Sequence, residues 1–312
     1  MKLNKLLIIL VVIALTASSC AYDDNYLDAK LPKNMAYFAS LKDYTRTVVV
    51  GEGLRFKIGA AMAGELNNNA DRTVDFKLGT LGFLVGDTSH VALPNDYYNF
   101  SSLVGTAGTA QAIIPKGSFI GYFSVELDST KFLNNANALK GKFTIPVKIV
   151  GTSLDSINKM NDSVTINIKY ITSVDGYYLY KNSIQKEING ANFGSVIVEN
   201  FANESDNSTW RLLTKGPFTV EVSSAIAANS TSGMKFNLTV DGNGISYQSI
   251  AGQVTVKAES TNTYDKKTRD FNLNYNYKKI GNDTIYHVKS NLIFRNRMRD
   301  GINEPRDYLI KL

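Results

Sequence analysis

The chain is short of the residues that most often carry chemistry. It has one cysteine, Cys20, among 312 residues, so no internal disulfide and no cysteine-rich zinc site can be built from it. Its two histidines, His90 and His287, have no partner at HxxxH or HExxH spacing, which removes the signature of a helix-borne zinc site. No GxSxG elbow and no glycine-rich phosphate loop occurs. Asp241-Gly242-Asn243-Gly244 contains a DxN pair but lacks the later acids of a calcium loop, and reads as a tight hairpin turn. No residue pattern calls for a cofactor or a metal. There is no run of Ala, Leu, Glu and Lys at helical spacing, which argues against a helical bundle or a (β/α)8 barrel. Lys and Arg outnumber Asp and Glu by 34 to 28, a net charge of +6. The excess is mild and has no basic block, so a nucleic-acid partner has no support.

What the chain does have begins at its N-terminus. Lys2 and Lys5 precede an uncharged apolar run, Leu6 to Leu15, and then the small or polar Thr16-Ala17-Ser18-Ser19 before Cys20. This is the layout of a cleaved secretory signal, and its apolar run is too short to span a bilayer as a mature helix. Ala17-Ser18-Ser19-Cys20 resembles a lipobox. In such a signal the cysteine thiol is alkylated by diacylglycerol and the chain is cut just ahead of it. Lipidation at Cys20, with palmitate-type acyl chains, accounts for a lone thiol in an exported chain, and two or three chains anchor stably. Ala21-Tyr22-Asp23-Asp24 resembles the surface-export signal of Bacteroidetes lipoproteins, which implies an outer-membrane, outward-facing position. Residues 1–19 are therefore expected to be the signal peptide and 20–34 a lipidated tether.

The remainder reads as all-β. Apolar residues make up 44% of the chain, with 17 Tyr and 15 Phe, enough for two cores. Residues 35–172 alternate short strands and turns. Leu54-Arg55-Phe56-Lys57-Ile58 alternates apolar and charged residues, and Val74, Phe76 and Leu78 share one face. Phe119, Gly121, Phe123, Val125 and Leu127 are expected on one side of another strand. Lys131 to Leu139 reads as a short helix or an irregular crossover. This spacing predicts an immunoglobulin-like sandwich. Residues 173–312 give a meander of strands at hairpin spacing, in which Phe271, Leu273, Tyr275 and Tyr277 alternate with Asn272, Asn274, Asn276 and Lys278. Separate strands are expected over Asp283 to Val288 and Leu292 to Arg297. This predicts an antiparallel, lipocalin-like barrel or a second sandwich.

Three segments carry a resemblance. Leu93-Pro94-Asn95-Asp96-Tyr97-Tyr98, Ile114-Pro115-Lys116-Gly117 and Leu139-Lys140-Gly141-Lys142-Phe143-Thr144-Ile145-Pro146-Val147-Lys148-Ile149 are similar to the LPxxYY, IPxG and LKGxYxxPVxI pattern of a Bacteroidetes family. That family is the N-terminal domain of unknown function on outer-membrane lipoproteins of polysaccharide-utilisation loci. In this pattern Pro94 and Pro115 are expected to start strands, and Gly117 and Gly141 to supply turns. Gly176-Tyr177-Tyr178 together with Ile293 to Glu304 resembles the uncharacterised C-terminal domain that often follows, although Pro305 stands where that family commonly has Trp. Some members attach the sandwich to a family-18-type endoglycosidase barrel with a DxxDxDxE strand. Asp175-Gly176-Tyr177-Tyr178 lacks the later acids, so no enzymatic activity is expected.

Sugar binding needs aromatic faces flanked by groups that reach hydroxyls. Trp210, Tyr247, Tyr264 and Arg211 are the candidates in the second domain. Arg295, Arg297 and Arg299 alternate on one face near Glu304, and read as a salt-bridged strand end. The expected function is therefore non-catalytic: a cell-surface lipoprotein that holds a polysaccharide or oligosaccharide for an uptake system, with the membrane and an outer-membrane transporter complex as partners. A structural or adhesion lipoprotein that binds a protein is the alternative, and an unrecognised glycoside hydrolase is a third. An exposed aromatic cluster around Trp210 would favour the first, and an open strand edge the second.

Overall fold

A computed structural model describes residues 34–39, 43–79, 89–100, 109–201, 209–224, 234–242 and 244–310. The signal, Cys20 and the acidic pair lie outside them. The described chain is nearly all β, as expected, and forms two sheets around two separate cores.

The first sheet contains β1 (Met35–Tyr37), β2 (Asp43–Val50), β3 (Arg55–Ala63), β4 (Arg72–Leu78), β5 (Val91–Ala92), β6 (Tyr98–Phe100), β7 (Thr109–Ile114), β8 (Ile120–Leu127), β9 (Phe143–Thr152), β10 (Ser156–Ile157) and β11 (Ser163–Thr172). Its hydrogen-bonded order is β10-β1-β3-β8-β7-β4-β9-β11-β2, with β5 on β9 and β6 on β8. The sheet is a curled half-barrel, and its corner is the β7–β8 contact, where Ile113 and Tyr122 pair. Gly121 makes the corner possible: a Cβ there would stand 2.4 Å from the Ile113 carbonyl oxygen. Inside the curl the Phe38, Phe76 and Phe123 rings pack at 5.8 and 5.0 Å. Val74, Phe76 and Leu78 are all buried, as their alternation requires. Phe119 departs from expectation: it precedes β8 and is 39% exposed. The stretch after β8 holds two short helices, α1 (Ser129–Leu133) and α2 (Ala136–Leu139), capped by Asp128 and Asn135. Pro94 and Pro115 do not start strands. Pro94 caps a 3-10 turn, and Pro115 follows the last residue of β7, where its carbonyl accepts from Asn68.

The second sheet contains β12 (Gly176–Ile188), β13 (Ala191–Phe201), β14 (Trp210–Thr214), β15 (Thr219–Ser224), β16 (Met234–Asp241), β17 (Gly244–Ser249), β18 (Val254–Ala258), β19 (Thr263–Tyr264), β20 (Phe271–Lys279), β21 (Ile285–Arg299) and β22 (Ile302–Pro305), followed by α3 (Arg306–Ile310). Its order is β17-β16-β15-β14-β12-β21-β20-β18, with β13 on β12, β19 on β20 and β22 on β21. It is a near-closed barrel: the Val256 amide of β18 donates to Ser249 Oγ of β17 at 3.0 Å. The Asp241–Gly244 turn joins β16 to β17 as a hairpin, as read. The expected pair of strands over 283–297 is one continuous strand, β21. The apolar pattern breaks at Ser290, which faces inward and donates to Asn182 Oδ1 at 2.6 Å. Asn182 in turn donates to Glu199 at 2.8 Å. Among the described residues β13 pairs only with β12, so its other edge is open, and Phe193, Val196, Ile197 and Val198 are exposed.

The cores divide between Tyr170 and Val174, and specific polar contacts join the two units. Asp300 accepts from the amide and hydroxyl of Thr47 at 3.0 and 2.6 Å. The Thr172 amide donates to Thr214 Oγ1 at 3.0 Å, and Thr214 donates to Asp175 through both its amide and its hydroxyl. A bulge between Tyr177 and Tyr178 shifts the register of β21 at its far end. Beyond it Arg297 is fully buried, although it shares a strand with the inward Phe294 at odd spacing.

Candidate functional site

The β2–β3 turn of the first unit and the β14–β15, β16–β17 and β19–β20 connections of the second enclose a cleft of about 720 Å³. That volume lies within the usual range for a small-ligand site. Its apolar wall includes Leu54, Phe218, Ile245 and Tyr264, and its polar lining includes Glu52, Asp241, Asn262, Lys266 and Arg269.

Phe218 follows Gly216-Pro217, and this turn holds its ring outside the barrel core, 51% exposed. Tyr264 is partly buried, its ring 4.6 Å from Phe271. Burial pushes its phenol pKa up, partly offset by a hydrogen bond with Ser173. Asn262 is already committed. Its Oδ1 accepts from Tyr247 Oη and the Asn274 amide, each at 2.7 Å, and its Nδ2 donates to Ser260 at 2.8 Å.

Arg269 is different. The Asp265–Arg269 turn places it at φ 66°, a left-handed conformation that non-glycine residues rarely adopt and that is found at functional sites. Its Nη2 donates to Glu52 Oε1 at 2.9 Å. Its Nη1 is buried and has no hydrogen-bond partner among the described residues, and the same holds for Thr172 Oγ1. Both residues line the cleft. A buried donor without an acceptor costs about 1–3 kcal/mol; the Arg269 guanidinium lies over the Phe294 ring at 5.4 Å, which offsets part of that cost. Glu52 is held charged: burial alone would raise its pKa, but the Arg297 hydrogen bond and the charges of Arg297, Arg269 and Arg299 lower it overall.

The structure does not bring the four residues read from sequence into one site. Tyr264 lines the cleft, and Tyr247 supports it through Asn262. Trp210 is a correction. It is 1% exposed, packs 5.8 Å from Tyr180 and belongs to the barrel core, so its ring cannot serve as a surface platform. Arg211 is also structural in position. It lies 2.7 Å from Asp175, donates to the Gly176 carbonyl at 2.9 Å and sits over the Tyr177 ring at 4.9 Å. Phe218 and Arg269 are the lining residues that sequence reading missed. Gly216-Pro217 ahead of Phe218 was a usable signal, because a ring at a turn is poorly placed for a core. Nothing local marks Arg269, whose partners lie at Glu52 and across the cleft.

Arg295, Arg297 and Arg299 do form a salt-bridged strand end, through Arg297 and Arg299 with Glu304. The cluster also reaches the first unit, because both oxygens of Glu52 accept from Arg297 at 2.8 Å. Among the described residues no group of three His, Cys, Asp or Glu side chains is arranged to hold a metal ion.

No family model and no curated protein matches the chain. Solved structures do. A protein of unknown function from Bacteroides ovatus superposes with a TM-score of 0.63 at 18% identity, covering 84% of this chain and 95% of that one. The two therefore share a fold. An auxiliary nutrient binding protein from Bacteroides thetaiotaomicron VPI-5482 matches at TM-score 0.37 and 11% identity, over 88% of this chain and 98% of that one. A multidomain protein including DUF1735 from Bacteroides ovatus matches at TM-score 0.34 and 12% identity, over 85% and 94%. These two superpose too loosely to bear on this chain.

Proposed function

We propose that the chain is a non-catalytic, lipid-anchored surface protein that holds a glycan segment in the cleft between its two β units. The observation that carries the reading is an exposed aromatic ring, Phe218, and Tyr264 in one cleft with the polar side chains of Glu52, Asp241 and Lys266. Aromatic faces cover the C–H surface of a sugar ring, and charged and polar side chains beside them reach its hydroxyls. The resemblance of residues 93–149 to lipoproteins of polysaccharide-utilisation loci supports the same class of ligand, and an outer-membrane transporter complex as the downstream partner.

The test is retention on native gels cast with a panel of polysaccharides. Retention by at least one, weakened about tenfold by Phe218→Ala, supports the reading. A silent panel moves it to a protein partner, for which the open edge of β13 is the favouring observation. The anchor is tested separately. Cys20→Ser is expected to move the protein from the membrane to the soluble fraction, and undiminished membrane retention would contradict lipidation at that thiol.

A further inference from the structure

A second surface on the barrel is built for a different contact. On the outer face of β13, β12, β21 and β20, two rows of side chains run across the strands in register. One row is Asn200, Lys181, Asn291 and Asn272; the other is Val198, Ser183, Lys289 and Asn274. Between them the row Glu199, Asn182, Ser290 and Leu273 turns its side chains into the barrel, all of them buried. The two outward rows thus wall a shallow trough of about 520 Å³. Three strand spacings of ~4.8 Å give it a length of roughly 14 Å.

Its lining sets two lysines on the outward rows against one carboxylate, Glu199, in the buried row between them. The two outward rows contain two lysines and no carboxylate. Lys181 and Lys289 are both exposed, stand on neighbouring strands one diagonal step apart, and form no ion pair among the described residues. Diagonal neighbours on a sheet stand roughly 7–8 Å apart, close enough for one anionic group to meet both ammonium heads. The amides beside them are partly fixed. Asn291 donates to Asn272 Oδ1 at 2.7 Å, and Asn274 donates to the Thr261 carbonyl at 2.7 Å. These bonds fix the Asn291 and Asn274 amides in place while leaving their Oδ1 atoms to accept from hydroxyls. No aromatic ring lines the trough among the described residues, so it offers no stacking platform, and its charge comes from the two lysine heads above lysine stems and Val198.

We propose that this trough binds an anionic polysaccharide, a polyhydroxylated chain bearing uronate carboxylates or sulfate esters. The proposal takes its ligand class from the glycan reading above but uses a different surface, so the two can fail separately. The flat, hydroxyl-complementary amide rows favour a polysaccharide over a nucleic acid, whose bases need aromatic platforms in a single-strand groove.

The experiment is binding of the full chain to immobilised polygalacturonate, dextran sulfate, neutral dextran and single-stranded DNA, at low and at physiological salt. It is repeated with the Lys181→Gln/Lys289→Gln pair and with Phe218→Ala. Expected is binding to at least one polyanionic glycan, weakened about tenfold or more by the lysine pair and by salt, and unchanged by Phe218→Ala. Polygalacturonate alone would identify carboxylate as the partner, and dextran sulfate alone the sulfate ester. The proposal is overturned if neither polyanionic glycan binds, if the lysine pair has no effect on polyanion binding, or if single-stranded DNA binds as tightly as the polyanionic glycans. Both lysines are exposed, so the variant is expected to keep the circular dichroism of the parent. Loss of polyanion binding in the lysine pair with neutral-glycan retention intact would separate the trough from the cleft.

Discussion

Replacing Arg297 with alanine is expected to lower the free energy of unfolding by about 3–5 kcal/mol, the usual cost of removing one partner from a buried ion cluster. The guanidinium is fully buried, with both Glu52 oxygens at 2.8 Å and Glu304 Oε2 at 2.5 Å. Glu304 is itself only 3% exposed. Without Arg297 two carboxylates remain in a place where water cannot fully replace it. Each carboxylate keeps one arginine, Arg269 for Glu52 and Arg299 for Glu304, so the cost is the lost half of the cluster and the cavity left by the guanidinium. Urea unfolding followed by circular dichroism measures it. A loss under about 1 kcal/mol, the size of a surface pair, would show that the cluster is solvated and does not hold the units together.

The same cluster has a pH signature. Glu52 has its pKa lowered in the folded chain from an ordinary 4.5. A lowered carboxylate contributes stability that is fully present above the unfolded value and is lost as pH falls through the folded one. The junction is therefore intact at neutral pH and loses this contribution in acid, as pH falls below the ordinary 4.5 and through the lowered folded value.

Trp210→Ala is the second large effect, expected at about 3–5 kcal/mol from the cavity it leaves in the barrel core. Trp210→Phe should cost much less. The indole nitrogen has no hydrogen-bond partner among the described residues, so phenylalanine gives up area without stranding an acceptor. Neither change should alter glycan affinity in chains that remain folded. Loss of binding at unchanged stability in Trp210→Phe would return this residue to the ligand site.

The all-β class was legible because strand alternation is a local property. Val74, Phe76 and Leu78 in the first unit, and Phe271 through Tyr277 in the second, announce their buried face within a few residues, and the structure buries each of them. The turn at Asp241–Gly244 was legible for the same reason. β21 was not: Lys289-Ser290-Asn291 looks like a break, because the partner that satisfies Ser290 is Asn182 on β12, about a hundred residues away in sequence and itself held by Glu199 on β13. Trp210 misled in the opposite direction. It follows a polar stretch, Asp206 to Thr209, that suggests a surface, but its strand position opposite Tyr178 places it inside. Arg269 and Glu52 become a site only when the two units meet, and neither residue carries a mark of the other.

Calorimetric titration of the full chain with the best-retained neutral glycan, beside Phe218→Ala and Phe193→Ala, tests the cleft most directly. Phe193 is exposed on β13 and does not line the cleft. The expected result is one saturable site, about tenfold weaker in Phe218→Ala and unchanged in Phe193→Ala. Equal affinity in all three proteins would contradict the cleft as the binding site.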